Sequence, residues 1–174
     1  MSLAGAANAA TVVTNGSFEA GVPGNTPGLV YGSLFGDLPT GSPSSWDVWS
    51  NIVGWQTAKG PGVELQTDGT LPTLDAQDGE YYAELDSLSN SAIYQDVVLN
   101  VGRYMLSFWY NSEDGNARSN GINYRVSGLV AGRVTSETPG TVVGTWTQVT
   151  AEFIVTTAKK YRLTFAGSGA SDGM

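Results

Sequence analysis

The stretch Tyr104-Met-Leu-Ser-Phe-Trp-Tyr110 alternates between apolar and mixed positions along its whole length. Successive side chains of a β-strand point to opposite sides. The pattern therefore predicts a strand with a core face of Tyr104, Leu106, Phe108 and Tyr110. The other face, with Met105, Ser107 and Trp109, is predicted to be exposed. An exposed tryptophan in a strand is uncommon, which makes Trp109 a candidate contact residue.

The same period of two recurs on both sides of this stretch, with turns rich in Gly, Pro and Ser between the segments. About ten strands are predicted, and no segment indicates a helix. The predicted strands are Thr11–Thr14, Ile52–Gln56, Val63–Gln66, Glu80–Asp86, Ala92–Val98, Arg103–Tyr110, Ile122–Val126, Gly132–Thr135, Trp146–Val155 and Tyr161–Phe165. A long polar loop, Gly21–Ser45, follows the first strand. This spacing predicts a single all-β domain, a jelly-roll β-sandwich.

Composition limits the chemistry of the protein. The chain has 174 residues, is 41% hydrophobic and contains neither His nor Cys. This length and apolar content suit one domain with its own core. The two absences exclude a Ser-His-Asp triad, a thiol nucleophile and a thiolate metal site. A bound metal would need oxygen ligands, as Ca²⁺ does.

Charge and terminal sequence indicate partners and location. The net charge is −8, and the Lys and Arg residues do not cluster along the sequence, so nucleic acid is not an expected partner. No apolar run is long enough to span a membrane. Residues 1–10 are interpreted as an expression leftover, Met1–Leu3, and the tail of a removed export signal, Ala4–Ala10, or as a disordered Ala-rich start. Residues 11–174 form the predicted domain.

Several segments together resemble the galactose-binding-domain-like jelly rolls, which include many carbohydrate-binding modules. They are Asn15-Gly-Ser-Phe-Glu19, Gly54-Trp55, Gly62-Val-Glu-Leu-Gln66, Asp78–Ser87 and Tyr104–Tyr110. Within this group, the chain resembles secreted bacterial domains that often precede a PEP-CTERM sorting anchor or that belong to large surface adhesins. The resemblance implies export to the cell surface or the extracellular medium and binding of carbohydrate.

Domains of this kind usually end with one further strand, which pairs near the N-terminal strand. Here the chain reaches Ser168-Gly-Ala-Ser-Asp-Gly-Met174 at that point, so the usual last strand is expected to be missing. The missing strand would leave an open sheet edge. A second copy could pair with that edge and form a homodimer.

The resemblance also implies a structural Ca²⁺ ion. In the similar modules, a Glu after the first-strand Asn-Gly-x-Phe pattern helps bind Ca²⁺, and Glu19 occupies that position. Asp78 is a second candidate carboxylate, although the usual Asp of the last strand is absent. The alternative is that Asp78 is an ordinary turn residue and that Glu19 is solvated.

Alternation places a set of polar and aromatic side chains on outward faces. The candidate ligand-binding residues are Glu64, Gln66, Tyr82, Glu84, Asp86, Trp109, Asn111, Asn123 and Arg125. Aromatic rings with amides, carboxylates and Arg are the side chains that sugar recognition uses. The alternative is a solvated sheet face with cross-strand ion pairs such as Glu84 with Arg125.

Other aromatic residues have two interpretations. Tyr31, Phe35, Trp46 and Trp49 are assigned to a loop, where their rings either present a ligand platform or cap the core. Trp55 and Trp146 are expected in the core. Glu84 and Asp86 lie about 7 Å apart on one strand face, within the range of glycosidase carboxyl pairs. A convex sheet face lacks the cleft that a general acid needs.

The sequence therefore predicts a non-catalytic extracellular carbohydrate-binding module. The first alternative is a Ca²⁺-stabilised structural or adhesive surface domain without a small ligand. The second is a glycoside hydrolase or lyase that depends on carboxylates.

Overall fold

The computed structural model describes residues 11–20, 46–71, 74–86, 89–113, 115–116 and 118–170. Within them the regular elements are eleven β-strands. They are β1 (Trp46–Trp49), β2 (Asn51–Ile52), β3 (Trp55–Lys59), β4 (Val63–Thr67), β5 (Tyr81–Glu84), β6 (Ala92–Leu99), β7 (Gly102–Tyr110), β8 (Gly121–Val126), β9 (Val130–Thr135), β10 (Thr147–Val155) and β11 (Lys159–Ser168). No helix in this part of the chain is long and apolar enough to cross a membrane.

The strands form three antiparallel sheets. Six strands make one sheet in the order β2-β3-β6-β11-β8-β9, and the others form the sheets β1-β4-β5 and β10-β7. The core lies between the six-stranded sheet and the two smaller sheets, which together form the opposite layer. Its buried members include Trp49 and Leu65 from the smaller sheets and Trp55, Ile93 and Leu163 from the six-stranded sheet. The predicted all-β jelly-roll sandwich is confirmed.

The core face of β7 is the one that alternation predicts. Leu106 and Tyr110 are buried, and Phe108 packs edge-on against Phe165 across the sandwich, with the ring centroids 4.9 Å apart. On the other face, Met105 is 60% exposed and Trp109 is 42% exposed. A hydrophobic face against a core and a mixed face outside is the expected pattern for an antiparallel sheet.

The predicted N-terminal strand is wrong. Residues 11–14 form no strand, and the segment is held instead by side chains. Gln95 accepts a hydrogen bond from the backbone N–H of Thr14 at 2.7 Å and donates to the carbonyls of Thr14 and Gly54 at 2.9 and 2.7 Å. The indole N–H of Trp55 donates to the Asn15 carbonyl at 3.0 Å. A short polar segment without a ladder can satisfy its backbone in this way.

Two further segments differ from the prediction. The segment Ile52–Gln56 is two strands rather than one, because the chain reverses at Val53-Gly54, where Gly54 has a φ of 81°. Trp46–Trp49, which was assigned to a loop, is strand β1 and pairs with β4. Trp49 is buried in the core cluster, while Tyr31 and Phe35 lie outside the described residues.

The predicted absence of a last strand concerns residues close to the end of the chain. β11 continues to Ser168 and lies between β6 and β8, and the description ends at residue 170. The expectation of a homodimer through an open sheet edge therefore stays a prediction.

Candidate functional site

A cleft of about 130 Å³ opens between β5 and the end of β7, and we call it the β5–β7 cleft. It is smaller than the pockets of about 300–1,000 Å³ that enclose drug-sized ligands, so a ligand would enter it only in part. Polar and aromatic side chains dominate its lining. They are Tyr82, Glu84, Asp86, Trp109, Tyr110, Asn111, Glu113, Ser119, Asn120 and Trp146.

Three aromatic rings shape one side of the cleft. Trp146 packs edge-on against Tyr82 with the ring centroids 5.9 Å apart, and its indole N–H donates to the Asp75 carbonyl at 2.8 Å. Trp109 pairs with Gln148 in the strand register, two residues from Trp146. Diagonal neighbours on an antiparallel sheet lie about 7–8 Å apart. Trp109 and Trp146 are therefore neighbours at the mouth of the cleft, and Trp109 is the more exposed.

Asn111 gives the cleft an amide that the protein leaves unsatisfied. Its side-chain oxygen and nitrogen are shielded from solvent, and among the described residues neither atom has a hydrogen-bond partner. A buried polar group without a partner costs about 1–3 kcal/mol. These atoms are covered, so a ligand hydroxyl would reach them only by displacing the side chains that cover them. It would then accept from the amide nitrogen or donate to the amide oxygen, because a carboxamide offers both functions.

The predicted exposure of Glu64 and Gln66 on β4 is wrong, because both are 0% exposed. The side-chain amide of Gln66 donates to Glu64 at 2.8 Å and also to Glu84. Glu64 and Gln66 therefore lie behind the cleft and hold Glu84, which lines it. Alternation identified the correct side of the sheet but could not show that this side is covered.

Tyr82 was also predicted to be outward, yet it is 7% exposed. Burial is the main cause that raises the pKa of Tyr82 to about 12, and the negative charges of Glu84, Asp68 and Glu64 add to the effect. A phenol that stays protonated at neutral pH can donate a hydrogen bond at the cleft wall.

Asn123 and Arg125 do not belong to this cleft. Both lie on β8 in the six-stranded sheet, on its solvent-exposed face. The predicted common face is therefore wrong for these two residues. The alternative ion pair of Glu84 with Arg125 is also wrong, because the two residues lie in opposite layers of the sandwich.

Glu19 and the Asp78-Gly79 turn are adjacent. One carboxylate oxygen of Glu19 accepts hydrogen bonds from the backbone N–H groups of Glu80, at 2.9 Å, and Tyr81, at 3.0 Å. Gly79 has a φ of 82°, and a Cβ atom there would lie 2.2 Å from the Glu19 carboxyl carbon. Across the described ranges, no group of three acidic side chains is arranged to hold a metal. Calcium at Glu19 and Asp78 stays a prediction.

Trp146 was predicted to lie in the core, and this is wrong, because it lines the cleft. The alternation along β10 could have identified Trp146 as an outward residue. Ala151, Phe153 and Val155 belong to the core or pack against it, so the even-numbered positions face outward. Trp146 shares that parity. Trp55 is buried in the core, as predicted. Glu113 and Asn120 come from the segment between β7 and β8, and no strand pattern could place them.

A search of solved structures finds a similar structure in TmCBM61, solved in complex with β-1,4-galactotriose. The two align with a TM-score of 0.55 and 21% sequence identity, over 94% of this chain and 90% of that chain. At this identity the similarity supports the fold. No protein-family model matches the chain. A search of curated proteins also finds no match.

Proposed function

We propose that this protein is a non-catalytic, extracellular carbohydrate-binding module that binds a sugar in the β5–β7 cleft. The observation that carries the proposal is the unsatisfied carboxamide of Asn111, in a cleft that the exposed ring of Trp109 also lines. A flat indole packs against the C–H face of a sugar ring, and a carboxamide binds the hydroxyls at its edge.

The carboxylates of the cleft support binding rather than hydrolysis. Glycosidases place two carboxyl groups on either side of the scissile bond. Glu84 and Asp86 both lie at the end of β5, and Glu84 accepts a hydrogen bond from Gln66. Glu113, the third carboxylate of the cleft, is exposed and so lacks the shielded environment that a general acid needs. In this arrangement the carboxylates accept hydrogen bonds from sugar hydroxyls.

The similar structure suggests the first ligands to test. TmCBM61 was solved with β-1,4-galactotriose. Short, neutral β-1,4-linked galacto-oligosaccharides are therefore the first probes, followed by a wider array of neutral glycans.

The test is calorimetric titration with the best neutral oligosaccharide of that array. Trp109→Ala should lower the affinity about tenfold, because an aromatic contact contributes about 0.5–1.5 kcal/mol beyond its buried area. Met105→Ala is the matched control, since Met105 lies on the same exposed face of β7 but does not line the cleft. Absence of neutral-glycan binding, or equal loss in both variants, would contradict the proposal. Release of reducing sugar would contradict its non-catalytic part.

A further inference from the structure

Charge is divided unequally between the two layers of the sandwich. The strands of the six-stranded sheet contain six of the eight basic residues of the chain, and Asp96 is their one acidic residue. The strands of the opposite layer contain four acidic residues and one basic residue, Arg103. A chain with a net charge of −8 thus has one basic sheet.

Four of these basic residues form a diagonal line on the exposed face, which we call the basic row: Lys160, Arg162, Arg125 and Arg133. The register defines it. Lys160 and Arg162 are two residues apart on β11, and Arg125 pairs with Thr164 of β11 and Ala131 of β9. Each member is a same-strand or diagonal neighbour of the next, at about 7 Å. All four side chains are exposed.

Two members of the row are held by the protein. Arg162 forms hydrogen bonds of 2.8 and 3.0 Å with the two carboxylate oxygens of Asp96, and its guanidinium lies 3.7 Å from the ring centroid of Tyr94. Arg133 donates to the Ser168 hydroxyl at 3.1 Å. For Lys160 and Arg125, the described part of the chain provides no hydrogen bond or ion pair, although Lys160 is near enough to Asp96 to help lower the pKa of that carboxyl. These two cations are available to a ligand.

A depression of about 420 Å³ adjoins the basic row at the β2–β3 side of the sheet. Its lining includes the amides Asn51 and Gln56, together with Tyr94 and Asp96. The Gln56 amide oxygen already accepts a hydrogen bond from the Tyr94 hydroxyl. The Gln56 amide nitrogen and the Asn51 amide oxygen remain to bind hydroxyl groups. The face therefore combines separated positive charges with groups that recognise a hydroxyl-rich molecule.

We propose that this face binds a carboxylated polysaccharide, one built with uronic acid residues. Its carboxylates would pair with Arg125 and Lys160, and its hydroxyls with the amides of the depression. A nucleic acid fits less well, because duplex phosphates are dense, about one charge per 1.7 Å, and the chain as a whole is acidic. The ring of Tyr94, which a base would need for stacking, is occupied by Arg162. The proposal is independent of the β5–β7 cleft.

The experiment compares polygalacturonate with the same polymer after complete methyl esterification, which removes its charge. The wild-type protein should bind polygalacturonate and not the ester. Binding should weaken at least tenfold as the salt rises from about 0.01 M to about 0.15 M, where the Debye length falls from about 30 Å to about 8 Å. Lys160→Gln combined with Arg125→Gln should lower the affinity about tenfold, since each exposed ion pair contributes up to about fivefold. Arg125→Lys should retain most of the binding.

Arg103→Gln is the matched control, because it removes one positive charge from the opposite layer. It should leave polygalacturonate affinity unchanged. Four results would overturn the proposal: no binding of polygalacturonate, equal binding of its ester, equal loss in the control, or tighter binding of single-stranded DNA at the same salt. Neutral-glycan binding in the β5–β7 cleft is a separate measurement, so failure of one proposal leaves the other unaffected.

Discussion

Glu64 and Glu84 lie directly opposite each other across β4 and β5. Like charges at such positions destabilise a sheet, and here Glu64 is also fully buried. The amide of Gln66 donates to both carboxylates and so holds them together. One glutamine therefore connects the buried interior of the layer to the wall of the β5–β7 cleft.

Gln66→Met should lower the free energy of unfolding by about 2–3 kcal/mol at neutral pH, because both carboxylates lose a shared donor in a buried environment. Methionine has a similar length, so the change in packing is small. Urea denaturation measures the loss. Gln148→Met is the control, since Gln148 is exposed and, among the described residues, donates to Ser107 alone, and it should change stability by no more than about 0.5 kcal/mol. Equal effects would show that the Gln66 amide does not stabilise the pair.

The ionisation of Tyr82 should lower the free energy of unfolding at alkaline pH. Its pKa is raised to about 12 in the folded protein, against about 10 in an unfolded chain. Between these values the unfolded chain loses a proton that the folded chain keeps. Stability is therefore full below about pH 10 and falls by up to about 1.4 kcal/mol per pH unit as the pH approaches 12.

Tyr82→Phe should remove this part of the slope in urea denaturation across the alkaline range. The pKa of Tyr81 is raised as well, chiefly by burial, but Tyr81 is present in both proteins. The difference between them thus isolates Tyr82. Identical slopes would contradict the assignment.

Asn111 should show opposite effects on stability and on binding. Asn111→Leu replaces an unsatisfied buried amide with an apolar side chain of similar size, which should raise the free energy of unfolding by about 1 kcal/mol. The same variant should lower neutral-glycan affinity at least tenfold. Asn123→Leu, on the exposed face of β8, should leave that affinity unchanged. A variant that loses stability and keeps its affinity would assign Asn111 a purely structural role.

The predicted Ca²⁺ site is tested by melting temperature with Ca²⁺ and with chelator. Binding to the folded state alone would add about 2.7 kcal/mol at a hundred times the dissociation constant. Asp78→Asn should abolish the stabilisation by Ca²⁺. Asp75→Asn is the control, because Asp75 is an exposed acidic residue outside the Glu19 contact, and this variant should keep the stabilisation. Equal melting temperatures with Ca²⁺ and with chelator would contradict the prediction.

The period of two predicted the strands that build most of the core. β7, β8 and β11 have regular alternation, and the inner faces that it predicts are the observed ones. β1 was missed because its four residues follow a long Gly-, Pro- and Ser-rich segment and have a tryptophan at each end, a pattern that suits a loop equally well. The turn at Val53-Gly54 was hidden because a single Gly does not distinguish a bend from a strand interior.

Pairing between distant strands explains the remaining differences. Alternation gives the face of a strand but not which sheet contains it, so Arg125 was grouped with Glu84 although the sandwich separates them. The same limitation concealed the basic row. Lys160 and Arg125 are far apart in sequence, and they become neighbours only because β11 inserts between β6 and β8. Nucleic acid was excluded as a partner because the Lys and Arg residues are dispersed along the sequence. In the folded protein, four of them lie together in the basic row.

Gln95 replaces a strand partner for the segment that contains Thr14. Within the described residues, the segment is attached through side chains alone, namely those of Gln95, Trp55, Asn15 and Glu19, and it contributes no ladder of backbone hydrogen bonds. Such a segment can detach while the sheets stay folded. Its amide hydrogens should therefore exchange with solvent by local opening, faster than those of β6 or β11. The same segment contains Glu19, whose carboxylate accepts from the backbone N–H groups of Glu80 and Tyr81. Each opening therefore also breaks these two hydrogen bonds at the start of β5, the strand that leads into the β5–β7 cleft.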